Sequence, residues 1–251
     1  MTATAVAVAE REVLVWWARA GDARPALLVL LDAVERARHE ATVRPADKAR
    51  FLVGCALSRI ALGELLGVPP ADVPLRRVCP RCGGPHGKVR LAVPEGSPYA
   101  DVDFSVTHSG EVVGVAVCRG AAVGLDVEDG GVALDVDAAA RAALGDGELR
   151  ALYAGPPAGR RTAFLRTWTR KEAVLKALGV GLHAPLRELE LSPPDAAPAV
   201  LGWPERLGRR PGTSLTDLTV AGTHAAAVAV LSGGGVRVTV QADPVRLPPS
   251  V

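Results

Sequence analysis

Apolar and polar positions along the 251-residue chain recur with two periods, and the changes between them mark strands and helices. Val13 to Trp17 is a short apolar run of strand length, and Ala26 to His39 carries Leu27, Leu30, Leu31 and Val34 at helical spacing. The clearest helical stretch of the first half is Asp47 to Gly67, where Phe51, Cys55, Leu62 and Leu66 lie close to one stripe and Gly67 is the stop. Val112 to Val117 reads as a strand, and Leu134 to Ala154 as one or two helices holding Glu148. Leu186 to Leu191 alternates as a strand does. Ser192 to Gly212, rich in Pro, Gly and Arg, predicts an irregular excursion whose Trp203 packs on one half of the protein, and Asp243 to Val251 predicts a loose tail.

Two stretches combine such a pattern with chemistry. In Val123-Gly124-Leu125-Asp126-Val127-Glu128 the alternation places Asp126 and Glu128 on one face of a strand, with Asp126 expected at an exposed end. Two strand residues span about 6.5 Å, so both carboxylates can converge on a small hard cation, and Mg²⁺ suits that half-site. In Trp168-Thr169-Arg170-Lys171-Glu172-Ala173-Val174-Leu175-Lys176 the pattern is helical, with Glu172 and Lys176 one turn apart. Glu172 can add a third oxygen to the cation, and Lys176 can face the same phosphates as a point charge. The plainer alternative is a solvated acidic face and a surface salt bridge. Glu172 argues against it, because it sits beside Leu165, Trp168 and Leu175 at the rim of the apolar face.

Several smaller signals stand apart from these. Arg36, Arg38 and Arg44 form a basic cluster of the kind that complements a helix end. Cys79-Pro80-Arg81-Cys82 with His86 nearby suggests zinc, yet a structural site wants four ligands and no second C-x-x-C follows. Gly87 lets backbone approach a phosphate, which Lys88 can then reach. Thr107-His108 followed by Val115-Ala116-Val117 recurs as Thr223-His224 followed by Val228-Ala229-Val230.

Composition narrows the classes. With 22% charged residues and a formal net charge of +2, no broad polyanion-binding surface is expected, so nucleic acid is not an expected partner. No stretch approaches the ~18 uncharged apolar residues of a membrane helix. The apolar start lacks a positive n-region and runs into Glu10-Arg11-Glu12, which reads as no signal peptide and hence a cytoplasmic protein. The cysteines Cys55, Cys79, Cys82 and Cys118 are too scattered for a disulfide framework.

Gly124 to Glu128 and Trp168 to Lys176 match G-[IVL]-D-[IV]-E and W-[ST]-x-K-E-[AS]-x-x-K. With these signatures the chain resembles the 4'-phosphopantetheinyl transferases of the surfactin-synthetase-activating (Sfp) type. The resemblance implies an α+β fold of two similar α/β halves related by a pseudo-twofold, residues 1–120 and 121–251, with the active site in the cleft between them. It implies Mg²⁺ on Asp126, Glu128 and Glu172, with Glu172, Lys176, Glu148 and Asp126 as catalytic groups. Arg50, Lys88, Thr107, His108 and Lys176 are then the contacts to coenzyme A. Here Val89 replaces the proline of the family's G-K-P element, and Ser105 and Thr107 replace the Asn and Ser of its F-N-[IV]-S-H element. The implied reaction moves phosphopantetheine from coenzyme A to a serine of an apo acyl or peptidyl carrier protein, and two halves in one chain suggest a monomer. A binding-only homologue and a zinc-ribbon module are the rival readings.

Overall fold

The structure is a computed structural model whose described residues are 8–9, 12–77, 83–84, 87–181, 184–220 and 222–241. Cys79, Cys82 and His86, on which the zinc reading rests, and the expected tail 243–251 lie outside the described residues. The fold is mixed α+β, and the chain divides into two units, residues 1–121 with 237–251, and residues 122–236.

In the first unit, β1 (Glu12–Arg19) leads through a 3₁₀ segment (Pro25–Leu30) to α1 (Ala33–Ala41) and α2 (Pro45–Leu66). A short ribbon of β2 (Leu75–Arg77) and β3 (Val89–Leu91) follows, then the hairpin β4 (Val102–Ser109) and β5 (Val112–Arg119). The helix expected over Ala26 to His39 is interrupted. Asp32 accepts from the Glu35 amide at 2.8 Å and Glu35 accepts from the Asp32 amide, a capping box that starts a new helix and turns Val34 outward. Helix α2 matches its expected span and stops at Gly67, whose φ of 68° no other residue adopts cheaply. It shares one core with the apolar side of β5, through Val53, Ala56 and Leu57 together with Val113, Val115 and Val117.

The second unit holds β6 (Ala122–Asp129), α3 (Val136–Ala143), α4 (Asp146–Ala154), α5 (Arg160–Leu178), β7 (Ser214–Val220) and β8 (His224–Leu231). Its antiparallel sheet has the order β6-β8-β7. The first unit's sheet has the order β4-β5-β1-β9, where β9 (Arg237–Val240) runs parallel to β1. The expected second half, 121–251, therefore ends early: its last strand has backbone partners in β1.

Leu186 to Leu191 is a turn rather than a strand. Pro185 accepts from the amides of Glu188 and Leu189, Leu189 drops into the core, and only Leu191 makes an isolated bridge, to Val200. The excursion after it is tied down from α5. Arg170, fully buried, donates to both oxygens of Asp217 on β7 at 2.8 and 2.6 Å and to the carbonyls of Ser192, Pro193, Pro194 and Ala196. Trp203 packs against the core of this unit.

Small residues decide how close α5 sits. Gly124, Asp126 and Glu128 on β6 face Ala229, Ala227 and Ala225 on β8 in register. A Cβ on Gly124 would lie 1.9 Å from the Ala173 carbonyl oxygen and 2.5 Å from the Ala177 nitrogen, so helix and strand meet through the missing side chain. Gly124→Ala should therefore cost about 3 kcal/mol or more, because rigid backbone is the obstacle and overpacking a core typically costs 1–3. An unchanged denaturant midpoint in that variant would refute the close contact.

Candidate active site

The acids on β6 lie under α5 instead of facing water. Asp126 is 4% exposed and accepts from Lys176 Nζ at 2.6 Å through Oδ1, and the same ammonium donates to the Leu125 carbonyl at 3.1 Å. The exposed strand end expected for Asp126 is thus corrected, because α5 covers it. Glu128 Oε1 accepts from Trp168 Nε1 at 3.1 Å, so the tryptophan of the helix motif orients the second acid of the strand motif. Glu172 projects from the next turn of α5, and its Oε1 is buried with no hydrogen-bond partner. Burial first, then the charge of Asp126, with Glu128 adding, pushes the Glu172 carboxyl up to about 7 against the pull of Lys176.

These residues fit a hard dication. A buried carboxylate oxygen without a donor, beside two further carboxylates that repel it, is stabilised by added positive charge, and oxygen donors are what Mg²⁺ takes. Lys176 supplies part of that charge here. Among the described residues no three His, Cys, Asp or Glu side chains already stand as a closed ligand set.

Glu148 is neither a surface residue nor a free base. Its carboxylate accepts from the Gly145 amide at 2.8 Å, from the Leu191 amide at 3.0 Å and from Lys171 Nζ at 2.5 Å. Lys171, with 0% exposure, donates also to the carbonyls of Ala143 and Leu186. The pair ties α4, α5 and the turn before Leu191 together. Glu148, expected among the catalytic groups, has both oxygens occupied by donors of the interior.

The expected coenzyme A contacts of the first unit separate into two sets. Arg50, in the second turn of α2, donates to the Gly110 carbonyl at 3.0 Å and pairs with Asp47. It shares a cavity of about 200 Å³ with His108, Arg38, Arg77 and Glu35 over the apolar Phe51 and Val106. Lys88 is buried against Asp103, and Thr107 is buried on the Asp103 side of β4, because alternate residues of a strand face opposite ways. Arg50 and His108 thus go together, and Lys88 goes with Asp103, with Thr107 further along the same side of β4. Arg38 and Arg77 were not expected in a site. Arg38 lies over the Phe51 ring at 5.4 Å, and burial, then the nearby Arg38, pulls the Arg77 guanidinium down. Arg77 comes from a strand of three residues, too short to be read from periodicity.

Comparison with known proteins places the chain among described relatives. Residues 122–229, which carry both motifs, match the model of the 4'-phosphopantetheinyl transferase superfamily. The 4'-phosphopantetheinyl transferase HetI of Nostoc sp. (strain PCC 7120) is 30% identical over 210 residues, 83% of this chain and 81% of HetI. The protein slr0495 of Synechocystis sp. (strain PCC 6803), provisionally named for the same activity, is 30% identical over 166 residues, 66% of this chain and 63% of its own length. A crystal structure of the Thermotoga maritima holo-[acyl-carrier-protein] synthase aligns with 44% of this chain and 62% of its own at 24% identity and a TM-score of 0.38. With a relative of that identity matched along most of both chains, this chain belongs to the 4'-phosphopantetheinyl transferase superfamily and is an enzyme of that family.

Proposed function

We propose that the chain is an Sfp-type, Mg²⁺-dependent transferase that moves the 4'-phosphopantetheine arm of coenzyme A onto a serine of an apo acyl or peptidyl carrier protein. Each unit sets a mainly antiparallel sheet against one long buried helix, α2 or α5, which supports the reading of two halves of similar build. The observation that carries the metal-dependent reading is Glu172 Oε1, buried without a donor beside Asp126 and Glu128.

The serine Oγ forms a bond to the phosphorus that bears the pantetheine arm. The bond from that phosphorus to the bridging oxygen breaks, and adenosine 3',5'-bisphosphate leaves with the electron pair. Asp126, Glu128 and Glu172 would hold the cation, whose chemistry is to neutralise charge on the pyrophosphate oxygens. Lys176 carries its ammonium to the same oxygens, released from Asp126 for that task. With Oε1 toward the cation, the other carboxylate oxygen of Glu172 takes the serine proton, directly or through one water. Arg50 and His108 in one set, and Lys88 and Thr107 in the other, take the nucleotide phosphates.

Folded protein, coenzyme A, Mg²⁺ and an apo carrier should give a carrier heavier by one phosphopantetheine unit and an equal amount of adenosine 3',5'-bisphosphate, and chelation should stop both. Carriers differ in surface charge and shape, so acyl, aryl and peptidyl carriers belong in the test. If all three stay unmodified while coenzyme A still binds in a calorimeter, the transferase reading fails.

A further inference from the structure

Lys88 is held by an anion that belongs to neither sequence motif. It follows Gly87, at φ 94°, and precedes β3, and its ammonium hydrogen-bonds Oδ2 of Asp103 on β4. Both side chains are deeply buried, at 10% and 12% exposure. Every neighbouring element adds charge. Arg90 on β3 lies 3.7 Å from Asp103 Oδ1 and is half exposed. Arg77 on β2 pairs in register with Val89, next to Lys88. From β5 come Cys118, in register with Asp103, and Arg119, which pairs with Asp101 at 3.1 Å. Asp101 is engaged by Arg119, and Asp103 accepts a hydrogen bond from Lys88.

The strand period then gives this pair a direction. Asp103, Ser105 and Thr107 occupy one side of β4, all buried, while Phe104 and Val106 turn to the other side. Each two-residue step is about 6.5 Å, so the polar row extends roughly 13 Å from Asp103 to Thr107. Taking Lys88 and Thr107 as phosphate contacts, as proposed above, we propose that Asp103 is a positioning residue for coenzyme A. It aims the Lys88 ammonium along this row, and a substrate phosphate takes its place on the same ammonium, which has three donors to share. Burial pulls the Lys88 ammonium toward losing its proton, and Asp103 opposes that loss. Asp103 therefore sets both where the charge is and up to what pH it lasts.

The test is the dependence of transfer on coenzyme A concentration and pH. Asp103→Asn should raise KM for coenzyme A about tenfold at pH 8.5 and much less at pH 6.5. The alkaline limb of kcat/KM should move down by a pH unit or more, with KM for the carrier unmoved. Asp103→Glu restores the charge but not the reach, so it should return the alkaline limb and leave KM for coenzyme A several-fold raised. A lower melting temperature in Asp103→Asn with KM and limb unchanged would make Asp103 merely structural and overturn the proposal. Should Asp103→Asn not fold, Asp103→Glu decides alone, and an unchanged KM overturns the proposal. Loss of the functional reading itself is seen separately, as absence of transfer by the parent protein, or as parental coenzyme A affinity in Lys88→Ala.

Discussion

Asp126→Asn is expected to lower turnover by at least about 10³-fold while leaving the fold intact, the scale seen when an electrostatic group aimed at a transition state is removed. The substitution conserves volume, and the amide oxygen still accepts from Lys176 Nζ, which sits 2.6 Å from Oδ1 in the parent. What is lost is one negative charge that acts on the Glu172 carboxyl. Glu172 should feel that loss, since Asp126 is the largest charge raising its carboxyl. Stability should change by no more than about 1 kcal/mol, a shift of about 2–4 °C in melting temperature for a domain of this size. Lys176 is 30% exposed and can turn to water when its partner is neutral. Thermal melts run beside the transfer assay separate the outcomes. A variant that keeps more than a tenth of its turnover, or one that unfolds, would assign Asp126 to structure.

The elements that could be read from the sequence are those whose signal is local. Alternation over Val123 to Glu128 and helical spacing over Trp168 to Lys176 gave β6 and α5, and the glycines that end α2 and α5, Gly67 and Gly179, adopt left-handed φ. The closeness of β6 to α5 was not legible, because it depends on Gly124 meeting the backbone of Ala173 and Ala177, a contact between distant segments that no local pattern shows. The same holds for burial of the acids. An alternating acidic strand looks solvated until the helix that covers it is placed.

Two misreadings share a cause. Leu186 to Leu191 alternates like a strand, yet Pro185 organises a turn, with Leu189 and Leu191 buried and Leu186 partly buried against the core. Ala26 to His39 has one helical stripe, yet the Asp32 and Glu35 capping box interrupts it. In both, a hydrogen-bonding residue overrode a hydrophobic period. Arg59 shows what such readings miss in general: it looks like an ordinary helix arginine, yet it is buried and joins Asp32, Glu35 and three backbone carbonyls of residues 70 to 73.

Glu148→Gln is expected to destabilise the second unit by about 3–5 kcal/mol, because breaking one side of a buried ion pair leaves the other charge uncompensated. Lys171 is fully buried, and two carbonyls are its other acceptors. Burial already pulls its ammonium down and Glu148 is the main charge holding it up, so the variant must lose a proton from Lys171 or admit water. The amide can still meet one of the Gly145 and Leu191 amides but not both and the ammonium, since only one of its ends accepts. Replacing both partners, as Glu148→Gln with Lys171→Met, should cost less than the sum of the two single changes, with a coupling of at least about 1 kcal/mol. Activity discriminates this account from general-base catalysis. Assayed cold enough to be folded, Glu148→Gln should keep turnover within a few-fold per folded molecule, whereas a missing catalytic base typically costs about 10²–10⁴-fold. A variant that melts like the parent yet barely turns over would return Glu148 to the chemistry.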